Sequence, residues 1–190
     1  MVRLLDFQIK DLSEVKVLNF YSDVYLNNDV DYNWLSFYVG LKMNLLNHRD
    51  ITKYAEDFIT KNPEADNEDI IQLAWGGEQL DYEQLLENII NALYENNLLH
   101  DQNSWDHETR KLRFGLLNYY RKNYDGNELL EKIVLVYVDF DYPEEMDNFI
   151  NYLEPKDYNP ALYSREENIR RLVNNFNCFM FEEEKAIRMK

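Results

Sequence analysis

The sequence predicts an all-α fold: a single domain of about seven to nine short antiparallel helices, packed as a compact bundle or as an irregular helical stack. Three observations lead there. Apolar residues recur three and four positions apart over most of the chain, which places them on one face of a helix. Asn, Pro and Gly steps end these runs, and Ser, Asp or Asn residues with capping character begin them. Strand-like alternation is confined to short pieces whose neighbours are helical and offer no pairing edge. The chain has 190 residues, 45% hydrophobic and 15% aromatic, ample for one packed core and against disorder over most of its length.

The least regular element comes first, in residues 1–30. Leu4 to Leu12 reads as an extended arm or a short helix, and Ser13 to Tyr21 as a capped helix or a strand, with Asn27-Asn28-Asp29 as a turn. From Asp31 the pattern is helical, with Trp34, Tyr38, Leu41 and Leu45 on one face and Leu35 and Val39 widening it. Asn47 caps a second helix carrying Ile51, Tyr54, Ala55, Phe58 and Ile59, which Asn62-Pro63 ends. A third starts near Asp66 or Asn67 and runs through Ile70, Ile71, Leu73 and Ala74 to Trp75, where Gly76-Gly77 stops it.

Asp81 and Gln84 resemble a capping box ahead of the widest apolar stripe, Leu85, Leu86, Ile89, Ile90, Leu93 and Tyr94. Asn96 to His107 reads as the longest loop. A helix resumes near Glu108 with Leu112, Leu116, Tyr119 and Tyr120 on one side; Arg110, Lys111, Arg113, Arg121 and Lys122 make either a solvated face paired with nearby acids or a local anion-binding patch. Ser164 and Glu167 box the last helix, which carries Ile169, Leu172, Val173, Phe176 and Met180, and residues 182–190 form a charged tail that frays.

The stretch Leu129 to Leu153 is the one around which the rest is expected to be organised. A helical apolar run, Leu129, Leu130, Ile133, Val134 and Tyr137, reaches a sudden acidic turn of Asp139, Asp141, Glu144 and Glu145. Pro143 then fits the first turn of a further helix that buries Met146, Phe149, Ile150 and Leu153, with Glu144 and Glu145 where the helix dipole favours negative charge. Pro155 to Pro160 is a rigid connector.

Charge and cysteine content bound the function. The net charge of −16 makes an anionic surface that repels nucleic acid and anionic membranes and attracts basic proteins. One cysteine, no secretion-like start and no apolar run of membrane-spanning length predict a cytoplasmic protein without disulfides. Cys178, beside Phe176 and Phe179, reads as a buried inert thiol. His48, His100 and His107 are far apart, and no metal, phosphate-loop or dinucleotide motif is present, so neither catalytic residues nor a cofactor are assigned. The candidate partner-binding residues are the carboxylates Asp139, Asp141, Glu144 and Glu145 with the aromatics Trp34, Tyr38 and Trp75, which serve either as core or as interface anchors. The same carboxylates could instead hold a hard divalent cation for a metal-dependent enzyme, although their spacing is not that of a calcium loop.

Several runs together, Ile51-Thr52-Lys53-Tyr54-Ala55, Asn62-Pro63, Ile70 to Trp75, Asp139-Phe140-Asp141-Tyr142-Pro143-Glu144-Glu145 and Ser164 to Ile169, resemble a bacterial family of uncharacterised, mostly helical proteins. The similarity spans roughly Asp31 to Phe179 and brings no catalytic residues with it. Small acidic proteins of this kind also resemble the immunity proteins of bacterial toxin systems. That likeness implies a non-enzymatic inhibitor that neutralises a basic toxin domain by tight binding. A helical structural adaptor is the remaining expectation.

Overall fold

Most helices of this chain begin on an asparagine or an aspartate. In the computed structural model, which describes residues 20–94, 98–155 and 158–188, helix α1 (Trp34–Lys42) follows Asn33. The Asn33 side chain accepts from the Ser36 N–H at 3.1 Å while the Ser36 hydroxyl accepts from the Asn33 N–H at 2.9 Å. Asn47 makes the same exchange with Asp50 ahead of α2 (His48–Lys61). Asn67 caps α3 (Glu68–Trp75), Asp81 caps α4 (Tyr82–Leu93) and Asp101 caps α5 (Gln102–Asn123). After α6 (Gly126–Asp139), α7 (Arg165–Arg188) opens on the reciprocal Ser164–Glu167 box. Each cap satisfies N–H groups that a helix start leaves open and is worth about 1 kcal/mol. The Asp81 box is half made: Asp81 accepts from the Gln84 N–H, but the Gln84 side chain turns to Asn88.

Among the described residues there is no strand. α2 packs on α3, α3 on α4 and α4 on α1, while α5 packs on α1, α6 and α7. Every residue from 111 to 118 of α5 is buried. This makes α5, rather than the Leu129–Leu153 stretch, the helix around which the chain is organised. Its Lys111 and Arg113 are not on a solvated face: they are 5% and 7% exposed and reach carboxylates inside the fold.

Two glycines mark close approaches. A methyl group on Gly115 of α5 would collide with the Tyr32 hydroxyl and touch Val24, and one on Gly40 would lie 2.5 Å from Leu46, whose N–H folds back to the Gly40 carbonyl. That fold-back ends α1 at Lys42, so Leu45 leaves the helical face expected for it.

Other expectations need correction. The long loop is shorter, because a 3-10 turn at Leu98–His100 leads straight into α5, and Trp105 lies on that helix. The segment after Pro143 is a 3-10 turn, Glu144–Phe149, not an α-helix; it still buries Met146, Phe149 and Ile150. The C-terminal tail is helical to Arg188, held by a buried Glu183. Cys178 is exposed, not buried, because Phe176 and Met180 share the inward face of α7 and a residue two positions from Phe176 points away from it. Phe20, Tyr21 and Val24 are buried in a π-helical turn, Phe20–Val24, while the readings for Leu4–Leu12 and for Ser13–Leu18 lie outside the described residues.

Candidate binding surface

The chain leaves α6 through a Schellman turn. The Tyr142 N–H bonds the Tyr137 carbonyl at 2.9 Å and the Asp141 N–H bonds the Val138 carbonyl at 3.1 Å, which satisfies the last carbonyls of the helix. Such a turn needs a left-handed residue, normally glycine. Here two non-glycine residues adopt it in succession, Asp141 at φ 59° and Tyr142 at φ 58°. A bulky residue in that region carries a steric cost of about 1–2 kcal/mol. The hydrophobic contact that goes with the motif is present, since the Tyr142 ring meets the Tyr137 ring edge-on at 5.4 Å.

Tyr137 is the anchor of the surface. Its ring is buried, its hydroxyl donates to Asp147 at 2.8 Å, and that bond, with burial behind it, pushes the phenol up to about 12. On either side of it Tyr142 and Tyr152 remain 53% and 55% exposed, the latter with its ring 6.4 Å from that of Tyr137. Leu135 and Val138, one turn apart on α6, are also exposed. The end of α6 thus exposes two apolar sets, the tyrosine rings packed on Tyr137 and, on another side of the helix, Leu135 and Val138, together with the carboxylates Asp139, Asp141 and Glu144.

The four carboxylates of this turn divide into three and one. Asp139, Asp141 and Glu144 are exposed and none has an ion pair among the described residues. Partial desolvation raises the Asp139 carboxyl above its ordinary value. Glu145 instead reaches back to Arg113 of α5 at 2.7 Å. Desolvation acts against its charged form, but its own backbone N–H and the Arg113 guanidinium prevail and hold the carboxyl below its ordinary value. Arg113 also lies 3.5 Å from Glu183, which Arg110 grips through both oxygens, and over the Phe179 ring. The turn is therefore tied by Glu145 to the buried Arg113 and Glu183, with the partly exposed Arg110 at the edge of the cluster.

The aromatic candidates do not gather at this turn. Trp34 and Tyr38 are core residues, 1% and 6% exposed, and offer no surface to a partner; Trp34 packs edge-on against Tyr54 and Phe58, and the Tyr38 hydroxyl donates to Glu87. Trp75 is 83% exposed at the end of α3, beside a corner where His48 stacks on Tyr82 and the Tyr82 hydroxyl accepts from the Gly77 N–H. α3 packs on α2 and α4 and α6 on α5 and α7, so Trp75 belongs to the other half of the fold. Sequence reasoning missed Leu135, Val138, Tyr142 and Tyr152, none of which it singled out as a surface residue. The signal was available in Tyr142, a tyrosine following an aspartate where a helix ends without glycine.

No group of three or more His, Cys, Asp or Glu side chains among the described residues is gathered to hold a metal ion. No helix of the described residues is long and apolar enough to cross a membrane. A family model described as "Uncharacterized protein conserved in bacteria (DUF2247)" matches residues 22–185. No curated protein and no solved structure matches the chain.

Proposed function

The chain belongs to this bacterial family, and we propose that it is a non-enzymatic, cytoplasmic binding protein that docks a basic protein, in the manner of an immunity protein neutralising a toxin domain. The observation that carries the reading is the end of α6, where Leu135, Val138, Tyr142 and Tyr152 are exposed together with Asp139, Asp141 and Glu144, carboxylates without an ion pair among the described residues. Apolar side chains supply the desolvated centre of an interface and slow dissociation. Carboxylates beside them steer a basic partner during encounter and select against acidic ones. The Asp141-Tyr142 turn supports it further, because it holds a half-exposed aromatic ring at the surface in a left-handed conformation that carries a steric cost. The net charge of −16 adds a long-range field of the same sign.

The test uses the protein encoded by the neighbouring gene as the probe. Surface-immobilised probe and purified chain are expected to form a 1:1 complex whose association rate falls about tenfold between roughly 20 and 300 mM salt. The double variant Tyr142→Ala/Asp141→Lys is expected to weaken it by about two orders of magnitude, mostly through faster dissociation. Absence of a complex, or one indifferent to both salt and the double variant, overturns the reading.

A further inference from the structure

A cavity of about 520 Å³ opens beside the N-terminal half of α5 and shares no residue with the surface at the end of α6. Glu108 and Lys111 line it as a buried ion pair, 4% and 5% exposed, with the ammonium 3.0 and 2.8 Å from the two carboxylate oxygens. The Ser36 hydroxyl donates to the same carboxylate, and the Tyr32 hydroxyl donates to the Lys111 carbonyl. Glu108 is thus fully engaged. Lys111 is not: an ammonium has three N–H donors, and Glu108 is the sole acceptor it meets among the described residues. Its two contacts with Glu108 leave one of the three N–H groups for a further acceptor.

The other charges on the wall point to the opposite need. Asp29 and Asp31 are exposed, line the cavity, and have no ion pair among the described residues. The remaining arginine, Arg188, is already taken by Glu184 at 2.8 Å. Among the described residues of the wall, Asp29 and Asp31 are thus the carboxylates without an ion pair. Leu35, Leu98 and Ile187 supply apolar wall between these groups, suited to a short run of methylenes. The volume lies within the range of small-molecule sites, which combine apolar walls with a few placed polar groups.

We propose that this cavity binds a small aliphatic cation that also carries a carbonyl or amide oxygen, its ammonium or guanidinium held by Asp29 and Asp31 and its oxygen accepting from Lys111. A neutral acceptor suits Lys111 better than a carboxylate, because Glu108 already cancels the lysine charge and would repel a second anion. A free amino-acid amide and a basic residue within a peptide offer this same chemistry.

Isothermal titration calorimetry at about 100 mM salt separates the alternatives. The probes are argininamide, agmatine, which lacks only the carboxamide, and acetyl-Gly-Arg-Gly-amide. Argininamide or the peptide is expected to bind, with roughly tenfold or greater loss in Asp29→Asn/Asp31→Asn. Agmatine is expected to bind several-fold more weakly than argininamide. The control variant Asp66→Asn/Glu68→Gln, whose residues lie outside the cavity, should bind as the parent does, which distinguishes the site from counterion collection by an acidic protein. Asp29 and Asp31 are exposed, so their replacement leaves the core closed; an unchanged urea midpoint checks this. Binding of the peptide identifies a residue in a chain as a ligand, and binding of argininamide alone a free compound. The proposal falls if neither binds, if the Asp29/Asp31 variant keeps full affinity, if the control variant loses as much, or if agmatine equals argininamide.

Discussion

The two halves of the fold close their interiors by different means. Around α1–α4 the core is built of rings: Phe37 stacks on Tyr54 at 4.0 Å, Tyr25 meets both of them edge-on, and Trp34 packs against Tyr54 and Phe58. Around α5–α7 it is built partly of charge, with Arg113, Glu183, Lys111 and Glu108 all buried. The backbone follows the same division. Positive-φ positions in the first half fall to Asn44, Gly76 and Gly77, which tolerate them; in the second Gly126 takes one, but Asp141 and Tyr142 take two more, the tyrosine at a steric cost. Ring packing gains from burial outright, whereas buried ions must recover their desolvation from one another. Features that a fold does not need for stability collect in the second half, which also carries the proposed binding surface.

The largest effect expected is in the ring-packed half. Phe37→Ala removes a fully buried ring between Tyr25 and Tyr54 and should cost about 3–5 kcal/mol, read as a fall in the urea midpoint. A loss below about 1 kcal/mol would mean that the ring stack is not the structural centre of that half.

Next comes the ionic half, where the comparison is sharpest. Glu183→Ala leaves Arg110 and Arg113 facing each other without their shared carboxylate and should cost about 3 kcal/mol. The double variant Arg113→Met/Glu183→Leu should recover most of that loss, since it removes both buried charges. If the double variant is as damaged as the single one, the ion cluster contributes net stability and the contrast between the halves fails.

The first half is also the more legible in sequence, for the same physical reason. Its helices announce themselves through apolar period and Asn or Asp caps, because rings and aliphatics are what they bury. α5 hides its burial behind Lys111 and Arg113: sequence periodicity assigns a charged residue to water, whereas Lys111 is paired inside the fold with Glu108 one turn back, and Arg113 with Glu183 and Glu145, 70 and 32 positions away. The start of α5 was hidden too, since Asp101 caps it through Ser104 with only Trp105 to mark an apolar face. The acidic turn was legible as a turn, but its division into three free carboxylates and one anchored was not, because that depends on where Arg113 lies. Trp75 and Tyr38 carried equal weight in sequence; burial separates them.

A smaller and opposite effect is expected at the strained turn. Asp141→Gly relieves a left-handed aspartate at the C′ position of the Schellman motif and should raise stability by about 0.5–1 kcal/mol, seen as a higher urea midpoint. The same variant should weaken capture of the neighbouring gene product, because it removes one of the free carboxylates. A stability gain with affinity intact would show that the strain serves no partner.

The smallest effect expected concerns Glu145, where the ionic cluster and the binding surface meet. Its carboxyl is held below its ordinary value in the fold, so the unfolded chain binds the proton more readily. Stability from this group is therefore complete above the ordinary carboxylate pKa and is lost as pH falls through the depressed folded value. Glu145→Gln should show a shallower decline of the urea midpoint between pH 5 and about pH 3 than the parent, with little difference in slope at neutral pH. The side chain is half exposed, so solvent screens the pair and the difference will be modest. Because Glu145 joins Arg113 to the segment that follows Tyr142, the same substitution should also loosen the turn, which faster amide exchange at Met146 would report. An unchanged acid slope together with unchanged exchange would mean that the two regions are merely adjacent and that the turn holds its shape through the Schellman bonds alone.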